Sequence, residues 1–276
     1  MQKKLPRLPV VLAIGGHDPS GGAGIQADIE SIGANGCHAT SALSCLTVQD
    51  SCNVSQLIPL PAANLTDQAV AILNDCQISS FKIGLLGSLS VTEAVVGLLR
   101  DNPEIPVIFD PVLAAGGGSD LADEVLLNYI RQELLPLCQL ITPNTLEAKR
   151  LTESNKSTTI DDDGEILLGL GPKAVLITGT HELTGSDKVT HRLYQPDTAP
   201  ISSTWQRLSG EFHGSGCTLS AAIAARMAVG ETLEKAIRHG LEYSWLSLQR
   251  SFRTGKCQSI PERLFRNPRQ HHHDHS

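Results

Sequence analysis

Leu8-Pro9-Val10-Val11-Leu12-Ala13-Ile14 runs without a break into Gly15-Gly16-His17-Asp18-Pro19-Ser20-Gly21-Gly22-Ala23-Gly24. A continuous apolar run fits a parallel strand buried on both faces, because a half-exposed strand would alternate. Beyond the glycines, Ile25, Ile29 and Ile32 recur at helical spacing until Gly33 and Gly36 close the segment. Strand, glycine loop and helix together are the layout of a ligand-binding βα unit, with the loop at the carboxyl end of the strand. The spacing is not GxxxxGK[ST], so the loop is no Walker A, and there is no GxGxxG with a suitable acid downstream.

Further strands are expected over Cys37–Val48, Phe81–Leu86, Pro106–Phe109, Gln139–Thr142 and Ala174–Thr178. Helices fall between them: one capped by Asn64, one opened by a Ser90/Glu93 capping box, one over about Leu121–Leu135 and one over Pro143–Leu151. A last helix covers about Thr232–Phe252. This alternation predicts an α/β fold, a single doubly wound and mainly parallel sheet flanked by helices. It would occupy residues 1–255 as one domain, followed by a solvated tail, 256–276. His181–Tyr194 reads as a hairpin turning around Gly185-Ser186-Asp187. Ser157–Gly164 reads as an acidic connector whose Asp161, Asp162 and Asp163 form a solvated turn. The glycine-rich stretch Ala114–Ser119 is expected to act as a lid.

Composition narrows the function classes. A net charge of -7 leaves no basic footprint for nucleic acid. No apolar run approaches the roughly 20 residues that span a bilayer. The N-terminus begins like a signal peptide, but its short apolar run passes into a Gly/Asp loop with no small-residue cleavage site, and it reads as the first strand. Seven cysteines without a CxxC pair fit free thiols in a reducing cytoplasm rather than a disulfide framework or a zinc site.

A second glycine turn carries the chemistry. Gly214-Ser215-Gly216 runs into a helix of small residues with Cys217 at the junction. A helix start offers free N–H groups and a positive dipole end, which suit a phosphate. Here the N–H groups of Gly214, Ser215 and Gly216 would hold the charge building on a transferred phosphoryl group. Cys217, its thiol pKa lowered toward neutrality by the helix end, would take a proton from the attacking hydroxyl. The competing reading of Cys217 is a small apolar filler. Asp110, at a strand end before Pro111, is a turn cap or a carboxylate near a Mg²⁺–phosphate site. Asn144 and Glu147 make a capping box, or Glu147 orients Mg²⁺ through water. Gln49 presents a donor and an acceptor side by side, as a heteroaromatic ring edge requires. Asp28 reads by default as a solvated helical residue, and His17 and His213 as structural.

These segments resemble one family. Gly15–Asp28, Val48-Gln49-Asp50, Lys82-Ile83-Gly84-Leu85, Phe109-Asp110-Pro111-Val112, Ile141–Glu147 and Gly214–Ser220 resemble, in order, the hydroxymethylpyrimidine/phosphomethylpyrimidine kinases of thiamine biosynthesis. The resemblance spans about Val10–Phe252. It implies a ribokinase-like fold, ATP and Mg²⁺, a homodimer, and two successive phosphorylations at one site. By position, Gln49 and Asp28 would bind the pyrimidine, and the Gly16 backbone and Leu85 would wall the ring. Asn144 and Glu147 would serve metal and phosphates, and Cys217 would be the base. Thr178 lies on the nucleotide side, where the family commonly carries Lys. The alternatives are a pyridoxal or pyridoxine kinase, and a pyrimidine-binding protein without catalysis.

Overall fold

The computed structural model describes residues 7–114, 121–153, 158–179 and 187–266. The opening apolar run forms β1 (Val10–His17), buried from Val11 to Gly16. It pairs in parallel with β2 (His38–Gln49) on one side and β4 (Ile78–Ile83) on the other. The parallel set continues through β5 (Val107–Phe109), β6 (Leu140–Ile141) and β7 (Val175–Ile177). Three antiparallel strands complete the sheet: β3 (Val54–Pro59) beside β2, and β8 (Lys188–Tyr194) followed by β9 (Ile201–Gln206) beside β7. The order is β3-β2-β1-β4-β5-β6-β7-β8-β9. The chain leaves β1 in one direction and later returns to its other side, so the strand order reverses beside β1, where open α/β sheets open a crevice for ligand.

Alternate residues of each central strand enter two separate cores. Leu12, Ile14, Phe109, Ile141, Val175 and Ile177 face one; Val11, Ala13, Ile108, Leu140 and Leu176 face the other. The first core is covered by α2 (Ala62–Asp75), α3 (Leu89–Arg100), α4 (Glu124–Tyr129), α5 (Thr145–Thr152) and α6 (Ile160–Gly169). The second is covered by α1 (Gly24–Ala34), α7 (Ser215–Ala228) and α8 (Leu233–Gln249). α7 lies close against the sheet because its inner face is Ala221, Ala222, Ala224 and Ala225, all fully buried. Ser80 Oγ on β4 reaches the Ala224 carbonyl at 2.9 Å. α8 comes as near on the outside, where a Cβ on Gly240 would lie 2.5 Å from Ile223.

Several expectations shift. α3 is capped by Ser88, whose Oγ accepts from the Val91 N–H, and not by Ser90. α2 starts behind Pro61, so Asn64 lies inside its first turn; proline's fixed φ starts the helix without a side-chain cap. The helix expected from Leu121 begins only at Glu124, capped by Asp123. It then widens into a π turn, Ile130–Leu134, before a tight 3-10 turn containing Pro136. The acidic connector is the first turn of α6: Thr159 and Asp162 form a capping box, and acidic side chains suit the positive helix end. Asp163 there is fully buried. The strand after the 178–187 connection is paired on both sides, with β7 and with β9. Gly185 and Ser186 lie outside the described residues, as do 115–119 of the expected lid.

Two corrections concern the C-terminus. Cys52 and Cys257 form a disulfide, with Cα atoms 5.0 Å apart. They are 205 residues apart in sequence, so no local spacing announced the pair. The segment from 256 to 266, expected as solvated tail, is partly built into the domain. Ile260 pairs with Phe252, Ser259 with Phe212, and Arg263 is among the largest fully buried side chains. The His-rich end from 267 lies outside the described residues.

Candidate active site

A cleft of ≈ 590 Å³ opens along the carboxyl ends of the parallel strands. β1 brings Gly16, β2 Gln49, and the turn after β4 Leu85; Asp110 follows β5, Asn144 and Glu147 follow β6, Thr178 follows β7, and α7 delivers Gly214 to Cys217. All eleven of these residues named from the sequence, Ser215 and Gly216 included, line this one cleft together with Asp28.

The glycine turn opens α7, but the free N–H groups of its first turn are those of Ser215, Gly216 and Cys217 rather than Gly214, Ser215 and Gly216. Gly214 sits at the N-cap of α7 with φ +77 and no side-chain cap. The first intrahelical bond runs from the Thr218 N–H to the Gly214 carbonyl (2.9 Å). The N–H groups of Ser215, Gly216 and Cys217 precede it and point out of the helix start. A Cβ at Gly216 would make ordinary van der Waals contact, 3.4 Å, with both carboxylate oxygens of Asp110, which places this turn of α7 directly against that carboxylate.

The thiol differs from expectation. Burial pushes Cys217 up to about 12; Lys82 opposes this, while Asp110 and Asp28 reinforce it. The helix end does not bring it to neutrality, because loss of water and two carboxylates outweigh one partial dipole charge. At neutral pH Cys217 is a thiol, in hydrogen-bond contact with the Asp110 carboxylate.

Asp28 is also not the solvated residue the sequence suggests. It is fully buried, and its Oδ1 lies 2.7 Å from Lys82 Nζ, itself 1% exposed. Burial raises Asp28 to about 6, against the pull of Lys82. Burial also works against the charge on Lys82, but the carboxylates of Asp28 and Asp110 hold it protonated, well above its usual range. Lys82 therefore stands as the cation among Asp28, Asp110 and Cys217. Its signal in the sequence was a single lysine inside an apolar strand, Phe81-Lys82-Ile83.

On the ring side, a Cβ at Gly16 would lie 2.8 Å from Cys45 Sγ and 3.3 Å from Leu85, so only glycine leaves the backbone bare there. Gln49 is held at both ends of its amide, 3.1 Å from Thr47 Oγ1 and 2.8 Å from His213 Nε2. The same His213 nitrogen lies 2.8 Å from Asp18 Oδ2. A carboxylate there requires an N–H, and that N–H requires an acceptor from Gln49. As placed, the amide sets its Nε2 toward His213 and its Oε1 toward Thr47; exchanging the two atoms satisfies all of these groups, with the Thr47 proton on the His17 carbonyl. Burial pushes Asp18 up, but His213 and Ser20 outweigh it and hold the carboxyl at about 2. His213, read as structural from the sequence, and Asp18, which has no reading of its own there, thus hold the Gln49 amide in place.

On the metal side, Asn144 and Glu147 do form the capping box of α5. Glu147 is raised to about 8, first by burial and then by Asp110. Burial raises Asp110 too, and Ser220 Oγ lies 3.3 Å from its Oδ2. Two carboxylates that raise their own proton affinity in one cleft fit a divalent cation. Among the described residues no cluster of three or more His, Cys, Asp or Glu could enclose a metal. Carboxylate oxygens are hard donors of the kind that suit Mg²⁺, which keeps most of its waters. Thr178 is tied by its N–H to the Pro143 carbonyl (2.9 Å) and adds no charge.

A doubly wound sheet with an uncapped helix start, a buried lysine and paired carboxylates over its strand ends is a ribokinase-like small-molecule kinase. Comparison with known proteins narrows that class. The phosphomethylpyrimidine kinase family profile matches residues 18–261, and the chain belongs to that family. It is 34% identical over 250 residues to the hydroxymethylpyrimidine/phosphomethylpyrimidine kinase of Haemophilus influenzae, covering 89% of this chain and 93% of that protein. Among solved structures, an ADP complex of Bacillus subtilis pyridoxal kinase superposes with a TM-score of 0.84 at 26% identity, over 93% of this chain and 98% of that one. Phosphomethylpyrimidine kinase from Clostridium difficile superposes with a TM-score of 0.74 at 30% identity, over 87% and 99%.

Proposed function

We propose that this kinase transfers a phosphoryl group from ATP to hydroxymethylpyrimidine, and then a second to the monophosphate, in thiamine biosynthesis. The observation that carries the reading is one cleft with an uncapped anion cradle at Ser215–Cys217 on one side and a bare-backbone ring pocket at Gly16, Leu85 and Gln49 on the other. Gln49 reads the edge of the pyrimidine, while Gly16 and Leu85 bound its faces. Asp28 acts through Lys82, whose charge it holds in place, rather than as a free carboxylate. Lys82 and the α7 N–H groups take up charge on the phosphoryl oxygens. The substrate hydroxyl proton passes to Cys217 Sγ as the thiol proton moves to the Asp110 carboxylate. Asn144, Glu147 and Thr178 lie on the ATP side. Bound Mg²⁺ would be held by Glu147 through water and would neutralise phosphate charge.

Purified protein with Mg²⁺ and ATP should convert hydroxymethylpyrimidine through mono- to diphosphate; folded protein that releases no ADP above background would exclude this activity. The closeness of the pyridoxal kinase backbone keeps pyridoxal as the second substrate to compare. The ratio of kcat/KM for the two heterocycles decides between them. We also infer a homodimer. Leu46 and Val48 on β2 and Ile58 on β3 share one exposed apolar face, of the kind an interface covers. Light scattering at micromolar concentration tests the dimer.

A further inference from the structure

Arg263 comes from the segment after the last helix and carries no role in the site described above. Its side chain is fully buried, and all three guanidinium nitrogens are engaged. Nε donates to Thr218 Oγ1 (2.9 Å), and that hydroxyl donates to the Gly214 carbonyl (2.8 Å). Nη1 lies 3.2 Å from the Glu30 carboxylate and 3.4 Å from the Gly21 carbonyl. Nη2 donates to the Gly22 carbonyl. The backbone of Arg263 is fixed in turn, since its own carbonyl accepts from Tyr243 Oη at 2.8 Å.

The two ends of these contacts belong to the two glycine turns, which meet here. Thr218 and Gly214 are the first turn of α7, which carries the anion cradle. The Gly22 carbonyl belongs to the peptide whose N–H, that of Ala23, donates to Asp18 Oδ2 at 2.8 Å. Asp18 holds His213, and His213 holds Gln49. One planar, rigid group therefore sets both the helix start and the loop that orients the ring-binding amide. The junction has no slack: a Cβ on Gly214 would lie 2.1 Å from the Gly22 oxygen and 2.8 Å from Nη2 of Arg263.

We propose that Arg263 is a positioning residue for phosphoryl transfer, locking the glycine loop of β1 against the first turn of α7 and so fixing the acceptor hydroxyl relative to the anion cradle. A fork of three nitrogens is needed for this, and a lysine, a point charge on a flexible stem, does not supply it. The proposal rests on the kinase reading above. Misalignment of about an ångström between reacting groups costs on the order of 10²-fold in rate. It does so without removing a contact to either substrate.

The test is steady-state kinetics on Arg263→Lys and Arg263→Ala, with Thr218→Val as a near-isosteric variant that breaks only the Nε–hydroxyl–Gly214 link. The expected result is kcat lower by about 10²-fold in both arginine variants, with KM for pyrimidine and ATP each within about threefold of wild type. Thr218→Val should move in the same direction by a smaller factor, and millimolar guanidinium should restore part of the kcat of Arg263→Ala. If Arg263→Ala does not fold, Arg263→Lys and Thr218→Val carry the test. Wild-type kcat in Arg263→Lys would overturn the proposal, as would rises in KM that account for the whole loss. Wild-type protein inactive on both heterocycles would instead overturn the kinase reading, which keeps the two failures apart.

Discussion

Cys217 shows how neighbours decide what a residue type can do. A thiol at a helix start is expected to ionise easily, yet this one is half-buried beside Asp110 and Asp28, and loss of water raises it to about 12. In the proposed mechanism it relays a proton from the substrate hydroxyl to Asp110, and acts only as one member of that pair. Cys217→Ala should lower kcat by roughly 10²- to 10⁴-fold while pyrimidine binding survives. Calorimetry of the variant with the pyrimidine, alongside turnover, checks both halves, and unchanged turnover would remove the role. Glu147 gives a prediction that depends on pH. Its pKa rises from 4.5 to about 8 in the fold. A raised carboxyl pKa means the folded state keeps a proton that the unfolded chain has lost. This contribution to stability is therefore full below 4.5 and declines as pH rises toward 8. Mg²⁺ must displace the same proton, so its apparent affinity should rise nearly tenfold per pH unit up to about 8 and then level off. The rise in melting temperature on adding Mg²⁺ should accordingly be larger at pH 8 than at pH 6.5. Glu147→Gln should flatten that difference; a Mg²⁺ response independent of pH in the wild type would contradict it.

At the scale of elements, the start of α7 depends on Gly214. Its φ of +77 is a region that side chains avoid, and its Cβ would strike the Gly22 carbonyl. Gly214→Ala should therefore cost at least about 1 kcal/mol from φ alone, with the clash adding to it. It should also reduce kcat, because the loop can relieve the contact only by moving away from the cradle. Urea denaturation and turnover on the same preparation test this. A variant as stable and active as wild type would mean that the loop and helix are not rigidly apposed. The capping box at Asn144 and Glu147 makes a related point, since one pair of side chains starts α5 and faces the cleft. The sequence offered these two readings as alternatives, and the structure supports the helical one without removing Glu147 from the site.

For the whole molecule, the C-terminal segment closes the fold. Cys257 is bonded to Cys52, the Gln258 N–H donates to the Ser51 carbonyl, and the Ser259 carbonyl accepts from the His213 N–H. The loop after Gln49 and the loop before α7 are thus held by one strand of chain. A crosslink across 205 residues restricts the unfolded chain strongly, with an upper range of about 5 kcal/mol. Reduction, or Cys52→Ser, should lower the melting temperature by several degrees while leaving turnover of the folded protein close to wild type. An unchanged melting temperature would mean that the segment is held by Arg263 and its backbone bonds alone.

The order of strands and helices, the two glycine turns and the residues over the strand ends were legible in the chain. They rest on local signals: apolar period, glycine where φ is positive, and polar groups at strand ends. The edge strands β3 and β9 were not, because short polar segments paired on a sheet margin have no period of their own. Nor were the ionisation states of Cys217 and Asp28, the Lys82 charge, the His213–Asp18 support of Gln49, the Cys52–Cys257 bond or the burial of Arg263. Each of these depends on groups far apart in sequence sharing one low-dielectric space. A sequence fixes which side chains are present, and only the tertiary structure decides which charges lose their water together.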